Sequence, residues 1–201
     1  MFASWALGEI NKSEKIKTIL DIGSGNGKHS RLFARYGKRV FAVDIAESND
    51  RNYDHPNIFF VCSDFMKFDM SSPVDCVWVS HLLEHQPNIN LFLKKCLALL
   101  KEGGHIAITV PPAKNQIVGG HLSIWNAGLV MYNLILAGTS CRHVRIKKYG
   151  YNISVIARYE PIILPSLHYD NGDIELLSDF FPKGFNFQGF NGDITALDTA
   201  L

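Results

Sequence analysis

The chain alternates short, nearly all-apolar runs with stretches whose apolar residues recur every three or four positions. That alternation predicts parallel strands joined by helices. The apolar runs are Thr18 to Ile22, Arg39 to Asp44, Ile58 to Cys62, Asp75 to Ser80 and His105 to Val110. A run with no polar face reads as a strand covered on both sides. After the first run, Lys28 to Tyr36 places Leu32, Phe33 and Tyr36 on one helical face, and Gly37 can take the left-handed conformation that ends a helix. A second periodic stretch, Ile89 to Leu100, leads to an exit turn at Lys101-Glu102-Gly103-Gly104. Pro111 and Pro112 stop the fifth run, because proline has no N–H to give a ladder. A further helix is expected from about Leu122 to Ala137, then a hairpin in which Tyr149-Gly150-Tyr151-Asn152 turns Val144 to Lys148 back into Ile153 to Arg158. The implied fold is α/β: a doubly wound, mostly parallel, seven-stranded sheet with a terminal antiparallel hairpin.

The two ends read differently. Residues 1–17 form a short amphipathic lead-in carrying Phe2, Trp5, Leu7 and Ile10. Residues 18–159 hold the sheet domain, and residues 160–201 are an aromatic extension with Tyr169, Phe180, Phe181, Phe185, Phe187 and Phe190. Asn-Gly-Asp-Ile occurs twice in that extension, at Asn171 to Ile174 and Asn191 to Ile194, each a turn that can run into a capped helix start. The extension is expected to pack on the domain; a lid or a homodimer contact is the sharper alternative. The uncharged run from Ile117 to Gly138 is long enough to cross a bilayer, but Gly119, Gly120, His121, Ser123, Asn126 and Asn133 interrupt it. A mostly buried helix is expected there, with a peripheral membrane contact left open.

Composition narrows the function classes. With 201 residues and 47% hydrophobic content the chain suits one domain, and 20 Lys and Arg against 19 Asp and Glu leave no basic field for nucleic acid. Cys62, Cys76, Cys96 and Cys141 are too scattered for a zinc site and read as small buried hydrophobes. Met1 to Leu7 has no secretion-signal pattern, so a cytoplasmic location is expected.

The chemistry concentrates where strands end. Ile19 to Ile22 runs straight into Gly23-Ser24-Gly25-Asn26-Gly27, whose glycines allow positive φ and close approach of a ligand to the main chain. Asp44 follows about twenty residues later at the end of the second strand, where a βαβ nucleotide site places an acid for the ribose hydroxyls. Asp64 ends the third strand, and His81-Leu82-Leu83-Glu84-His85 follows the fourth. All of them fall on one rim, beyond the carboxyl ends of the strands, where ligands bind in such sheets. Either acid read alone is as well explained as a helix cap. HLLEH lacks the zinc-protease order HExxH, and no metal centre is expected.

Leu20-Asp21-Ile22-Gly23-Ser24-Gly25-Asn26-Gly27, Val43-Asp44, Ser63-Asp64-Phe65, Leu83-Glu84-His85 and Leu99 to His105 resemble, in order, the motifs of class I S-adenosylmethionine (SAM) dependent methyltransferases, which have a Rossmann-like sheet. The resemblance implies SAM as cofactor, with Asp21, Gly23, Ser24, Gly25 and Gly27 at its amino-acid arm. It puts Asp44 and Ile45 at the ribose, Asp64 and Phe65 at the adenine, and Ser80 beside them. It implies methyl transfer to a small-molecule acceptor, with a hydroxyl of a sugar or lipid-linked precursor as the suggested target. His85 and His121 are the acceptor-facing candidates for a general base, and Trp125 is either an aromatic wall or a core residue. Two features depart from the family: the connection from Ile45 to Asn57 is short, and so is the segment before Thr18. A SAM-binding scaffold without turnover stays open. An NAD-dependent oxidoreductase is disfavoured, because its turn wants GxGxxG and here the third glycine comes one residue early.

Overall fold

The computed structural model describes residues 2–46 and 52–199. A nine-residue helix, α1 (Ser4–Lys12), precedes β1 (Thr18–Ile22), α2 (Lys28–Arg35), β2 (Arg39–Asp44), β3 (Ile58–Cys62) and β4 (Val74–Ser80). After a single 3-10 turn over Leu83–His85 come α3 (Ile89–Ala98), β5 (Leu100–Val110), α4 (Ala127–Ala137), β6 (Val144–Tyr149) and β7 (Asn152–Arg158). The C-terminal extension adds a short helix, α5 (Asp173–Leu176), and β8 (Ala196–Asp198).

The strands form one sheet in the order β3-β2-β1-β4-β5-β7-β6-β8. The first five are parallel, as the runs predict, and β7 enters antiparallel between β5 and β6. The sheet has eight strands rather than seven: Ala196, Leu197 and Asp198 pair with Lys147, Ile146 and Arg145. Three residues, two of them apolar, are too few to carry a strand pattern, so only the exposed edge of β6 selects them.

Alternate strand residues face opposite sides of the sheet. Leu20, Ile22, Val77, Val79, Ile106 and Ile108 join one core with α3, α4 and the extension. Ile19, Cys76, Trp78, Ala107 and Ile156 join the other, under Ala6, Leu7 and Ile10 of α1 and Phe33 of α2. The lead-in is therefore a covering helix of the sheet.

Three element boundaries shift. α4 starts at Ala127, five residues later than expected, because the Asn126 side chain accepts from Leu129 N at 2.8 Å and caps the helix there. α3 ends at Ala98, and β5 already begins at Leu100, with a register irregularity opposite Val74 and Cys76 that accommodates the predicted glycine turn. The 45–57 connection has no helix among its described residues. Among the described residues no helix is long and apolar enough to cross a membrane. Cys76, Cys96 and Cys141 are buried as expected, but Cys62 is exposed because it ends β3 at the edge of the sheet.

The extension packs on α4 and its neighbours. Leu177, Phe181 and Ile194 are buried in the core, and Phe181 meets Phe190 edge-on at 5.5 Å. The first Asn-Gly-Asp-Ile is a true helix start, with buried Asp173 accepting from His168 N and Tyr169 N at 3.0 and 2.7 Å. The second makes only a turn, because Gly192 lies against Asn126 and its carbonyl accepts from Gly128 N at 2.9 Å.

Candidate functional site

The turn after β1 is fixed to the neighbouring strand. Gly23 N and Ser24 N both donate to Val43 O, at 2.8 and 3.2 Å, and Gly25 N donates to Asp44 Oδ2 at 2.8 Å. Asp44 Oδ1 accepts from Ala46 N at 3.0 Å, so this carboxylate ties the glycine turn to the end of β2. Gly23 has φ +69°, and a Cβ there would stand 2.9 Å from both terminal methyls of Leu82. Gly25 has φ +57° and would meet nothing within 4 Å. The main chain is thus packed on one side of the turn and bare on the other.

Two hollows meet at Gly23. The larger, about 720 Å³, is bounded by Gly23 to Asn26, His29, Ser80, His81, the β6–β7 hairpin residues Tyr149 to Asn152 and Phe2 from the lead-in. The smaller, about 170 Å³, is bounded by Val43, Asp44, Ile45, Asp64, Phe65, Leu82 and Gln86. Of the residues expected at a cofactor, Gly23, Ser24, Gly25 and Ser80 line the first and Gly23, Asp44, Ile45, Asp64 and Phe65 line the second. Phe65 is mostly core, edge-on to Phe92 at 5.3 Å, and Asp64 Oδ1 accepts from Met66 N at 2.9 Å in a local turn.

Asp21 and Gly27 line neither hollow. Asp21 is 2% exposed and accepts from Ser30 Oγ at 2.5 Å, pinning β1 to α2 beneath the turn. Burial raises its carboxyl to about 7; the Ser30 bond opposes the shift and the charge of Asp44 reinforces it. Gly27 faces the short β2–β3 connection, where a Cβ would stand 2.7 Å from Asn52 O and from the Tyr53 ring. Tyr53 Oη lies 2.7 Å from Ser24 Oγ and donates to Gly25 O at 2.9 Å, while its ring stacks on Phe60 at 4.4 Å. Through Asn52 and Tyr53 the short connection clamps the outer side of the glycine turn.

Two histidines that the sequence reading did not favour stand at the larger hollow. Trp78 Nε1 donates to His29 Nδ1 at 3.2 Å, so the other nitrogen carries the proton and donates to Phe2 O at 3.2 Å. Burial lowers His29 to about 4, which keeps it neutral at physiological pH. His81 takes φ +52°, and its ring lies between Phe2 at 4.5 Å and Tyr151 at 6.2 Å. Its Nε2 donates to Asn152 Oδ1 at 3.1 Å. The signal for His29 was its position two residues past Gly27, at the start of α2.

The two histidines proposed from sequence are brought together across 36 positions, with ring centres 4.9 Å apart and planes perpendicular. His85 Nδ1 donates to Gly120 O at 2.7 Å, and Leu122 N donates to Glu84 O at 2.8 Å, which docks the loop after β5 onto the turn after β4. His121 borders a third hollow, about 280 Å³, that shares Tyr151 with the largest one. Trp125 is 3% exposed and belongs to the core. No residue of the described extension lines these three hollows, whereas Phe2 of the N-terminal lead-in does.

Residues 20–108 match a family model described as a methyltransferase domain. The chain is 33% identical over 95 residues to the ubiquinone biosynthesis O-methyltransferase of Nitrobacter winogradskyi, covering 44% of this chain and 36% of that one. The protein of the same name from Coxiella burnetii is 33% identical over 99 residues, covering 46% and 42%. The chain thus spans well under half the length of these curated relatives. Among solved structures, a SAM-dependent methyltransferase from Aquifex aeolicus superposes with a TM-score of 0.63 at 20% identity, over 79% of this chain and 90% of that one. The 1,6-didemethyltoxoflavin-N1-methyltransferase of Burkholderia thailandensis, solved with S-adenosylhomocysteine (SAH), gives 0.61 at 18% identity, over 78% and 81%. At these identities the structures speak for the fold.

Proposed function

We propose that the chain is a class I SAM-dependent methyltransferase and that it transfers a methyl group from SAM to a hydroxyl of a small-molecule acceptor. The observation that carries the cofactor placement is the unobstructed main chain at Gly25 between two hollows that meet at Gly23. In this reading the smaller hollow takes the nucleoside, with Asp44 at the ribose and Asp64 at the adenine. The amino-acid arm lies along Gly23 to Gly25, and the acceptor enters the larger hollow past Ser80 and His81. Oxygen as the methylated atom is suggested by the names of the curated relatives.

Methyl transfer is an in-line displacement on a sulfonium, so the protein's part is to align the acceptor oxygen and provide for its proton. Phe2, Tyr149 and Tyr151 give the larger hollow an aromatic wall that excludes water and suits a flat acceptor. His29 is a poor candidate for the base, because both its ring nitrogens are engaged and burial makes it too weak a proton acceptor. Of the two histidines expected to face the acceptor, His121 borders the hollow that adjoins the larger one, and His85 lines none of the three.

Calorimetry with SAH and with NAD, followed by a labelled-methyl screen of phenols, catechols and sugar hydroxyls, tests the reading. It expects saturable SAH binding, no NAD binding and a labelled O-methyl product. SAH binding without a product from any acceptor class would favour the non-catalytic scaffold.

A further inference from the structure

Glu84 is a buried carboxylate without a hydrogen-bond partner. It is 1% exposed, and neither Oε1 nor Oε2 accepts a hydrogen bond. Removing a charged group from water without compensation is expensive, so a partner is expected where the carboxylate points.

What surrounds it is imidazole. His85 Nε2 lies 4.0 Å from Glu84 Oε1, and His81 Nδ1 lies 3.5 Å from the same oxygen. The opposite nitrogen of each ring is already committed. His85 Nδ1 must carry a proton, because Gly120 O can only accept. His81 Nε2 must carry one, because Asn152 Oδ1 also accepts from Ala3 N while the amide nitrogen of Asn152 donates to Tyr149 O. In the neutral rings, the nitrogens turned toward Glu84 therefore offer lone pairs to a group that itself only accepts.

We propose that Glu84, His85 and His121 form a site for one divalent transition-metal cation. Donor atoms from the three lie within 4.8 Å of one another. Ligands held about 2.0–2.2 Å from one ion stand no more than about 4.4 Å apart, so a small inward swing of the exposed His85 ring and the half-buried His121 ring closes the shell. The bond from His85 Nδ1 to a backbone carbonyl is the outer support that fixes a metal-binding imidazole in the right tautomer. Two imidazoles and a carboxylate suit Zn²⁺ or Mn²⁺, whereas Mg²⁺ and Ca²⁺ prefer all-oxygen shells. The sequence reading expected no metal because HLLEH has the wrong order for a helical zinc motif. The fold supplies the third ligand from the loop after β5 instead.

Three protein ligands leave the ion an open position. His121 turns that position toward the hollow that adjoins the largest one at Tyr151. An acceptor hydroxyl oxygen bound there would lose its proton to water more readily as the oxygen–metal bond forms. That role rests on the methyl-transfer reading; the cation site itself rests on side-chain geometry alone.

The test is calorimetric titration of the chelator-stripped full chain with ZnCl₂, MnCl₂ and MgCl₂, with SAH binding measured in parallel. One saturable equivalent of Zn²⁺ or Mn²⁺ is expected, with Mg²⁺ weaker. A lost ligand should cost at least the roughly 10- to 100-fold that a lost outer partner does, so Glu84→Gln and His121→Ala should weaken the cation by that much or more while SAH binding persists. The half-buried, loop position of His121 limits any folding defect in the second variant. No saturable site, tighter Mg²⁺ than Zn²⁺, or unchanged affinity in both variants would overturn the proposal. Cation binding without SAH binding would sink the methyl-transfer reading and leave the cation site standing; SAH binding without a cation would do the reverse.

Discussion

Replacing Asp21 with Asn isolates a titration that the wild-type protein largely conceals. Burial raises the Asp21 carboxyl from 3.8 to about 7, so the folded state holds a proton that the unfolded state gives up. Stability from this group is complete below pH 3.8 and is lost as pH rises through 7. Between pH 6 and 8 the unfolded carboxyl is ionised throughout while the folded one passes its midpoint. The folded state therefore loses roughly 1 kcal/mol across that window. His29 works in the opposite sense, because burial lowers it from 6.5 to about 4. Its contribution is present above 6.5 and disappears as pH falls toward 4, so it opposes the loss from Asp21 on going from pH 6 to 8. The wild-type profile is therefore flatter than Asp21 alone would make it. In Asp21→Asn the acid's share vanishes and the remaining groups are shared, so the variant should gain roughly 1 kcal/mol on the wild type from pH 6 to 8. Urea denaturation of the unliganded protein at pH 6, 7 and 8 reads this directly, provided the m-values agree. Parallel profiles for the two proteins would refute a buried, protonated acid beneath the glycine turn.

Three other perturbations bear on the same rim. Gly23→Ala forces a Cβ onto a backbone at φ +69° and against Leu82; a stability loss of about 1–2 kcal/mol and a weakened SAH titration are expected, and an alanine variant that binds normally would speak against close approach there. Tyr53→Phe removes the hydroxyl from Ser24 and Gly25 and should cost about 0.5–1.5 kcal/mol in a denaturant melt, with a several-fold weaker SAH affinity; no change in either would show that the clamp is incidental. Deleting residues 160–201 removes β8 and buried Leu177, Phe181 and Ile194, at roughly 1.5–3 kcal/mol for each large side chain, so cofactor binding and turnover should fall together with solubility. A soluble truncation that keeps SAH binding and loses only turnover would instead restore a lid role for the extension.

The parallel strands were legible because each is buried on both faces and therefore written as an unbroken apolar run. That Gly23, Asp44 and Asp64 share one rim was legible because each follows or ends a parallel strand of the same sheet. What stayed hidden depended on pairings across long stretches of chain. Nothing in Ala196 to Asp198 announces a strand until the edge of β6 is there to receive it. Asn126 outweighs the apolar character of Leu122 to Trp125 because a side-chain cap decides where α4 begins. Asp21 fits the motif by sequence, yet its side chain turns under the turn to Ser30, away from both hollows. His29 and His81 came into view only when Phe2 and the hairpin closed over them. His85 and His121 were chosen for their positions on the rim; that they meet around an unpartnered Glu84 follows from the docking of one loop on another, which no local pattern encodes.

A crystal structure of the full chain with SAH decides the cofactor placement. It should show the adenine beside Asp64 in the smaller hollow, the ribose hydroxyls on Asp44, and the amino-acid arm passing Gly25 into the hollow walled by His81 and Tyr151. Ligand density elsewhere on the molecule, or none at a concentration that saturates related methyltransferases, would contradict it.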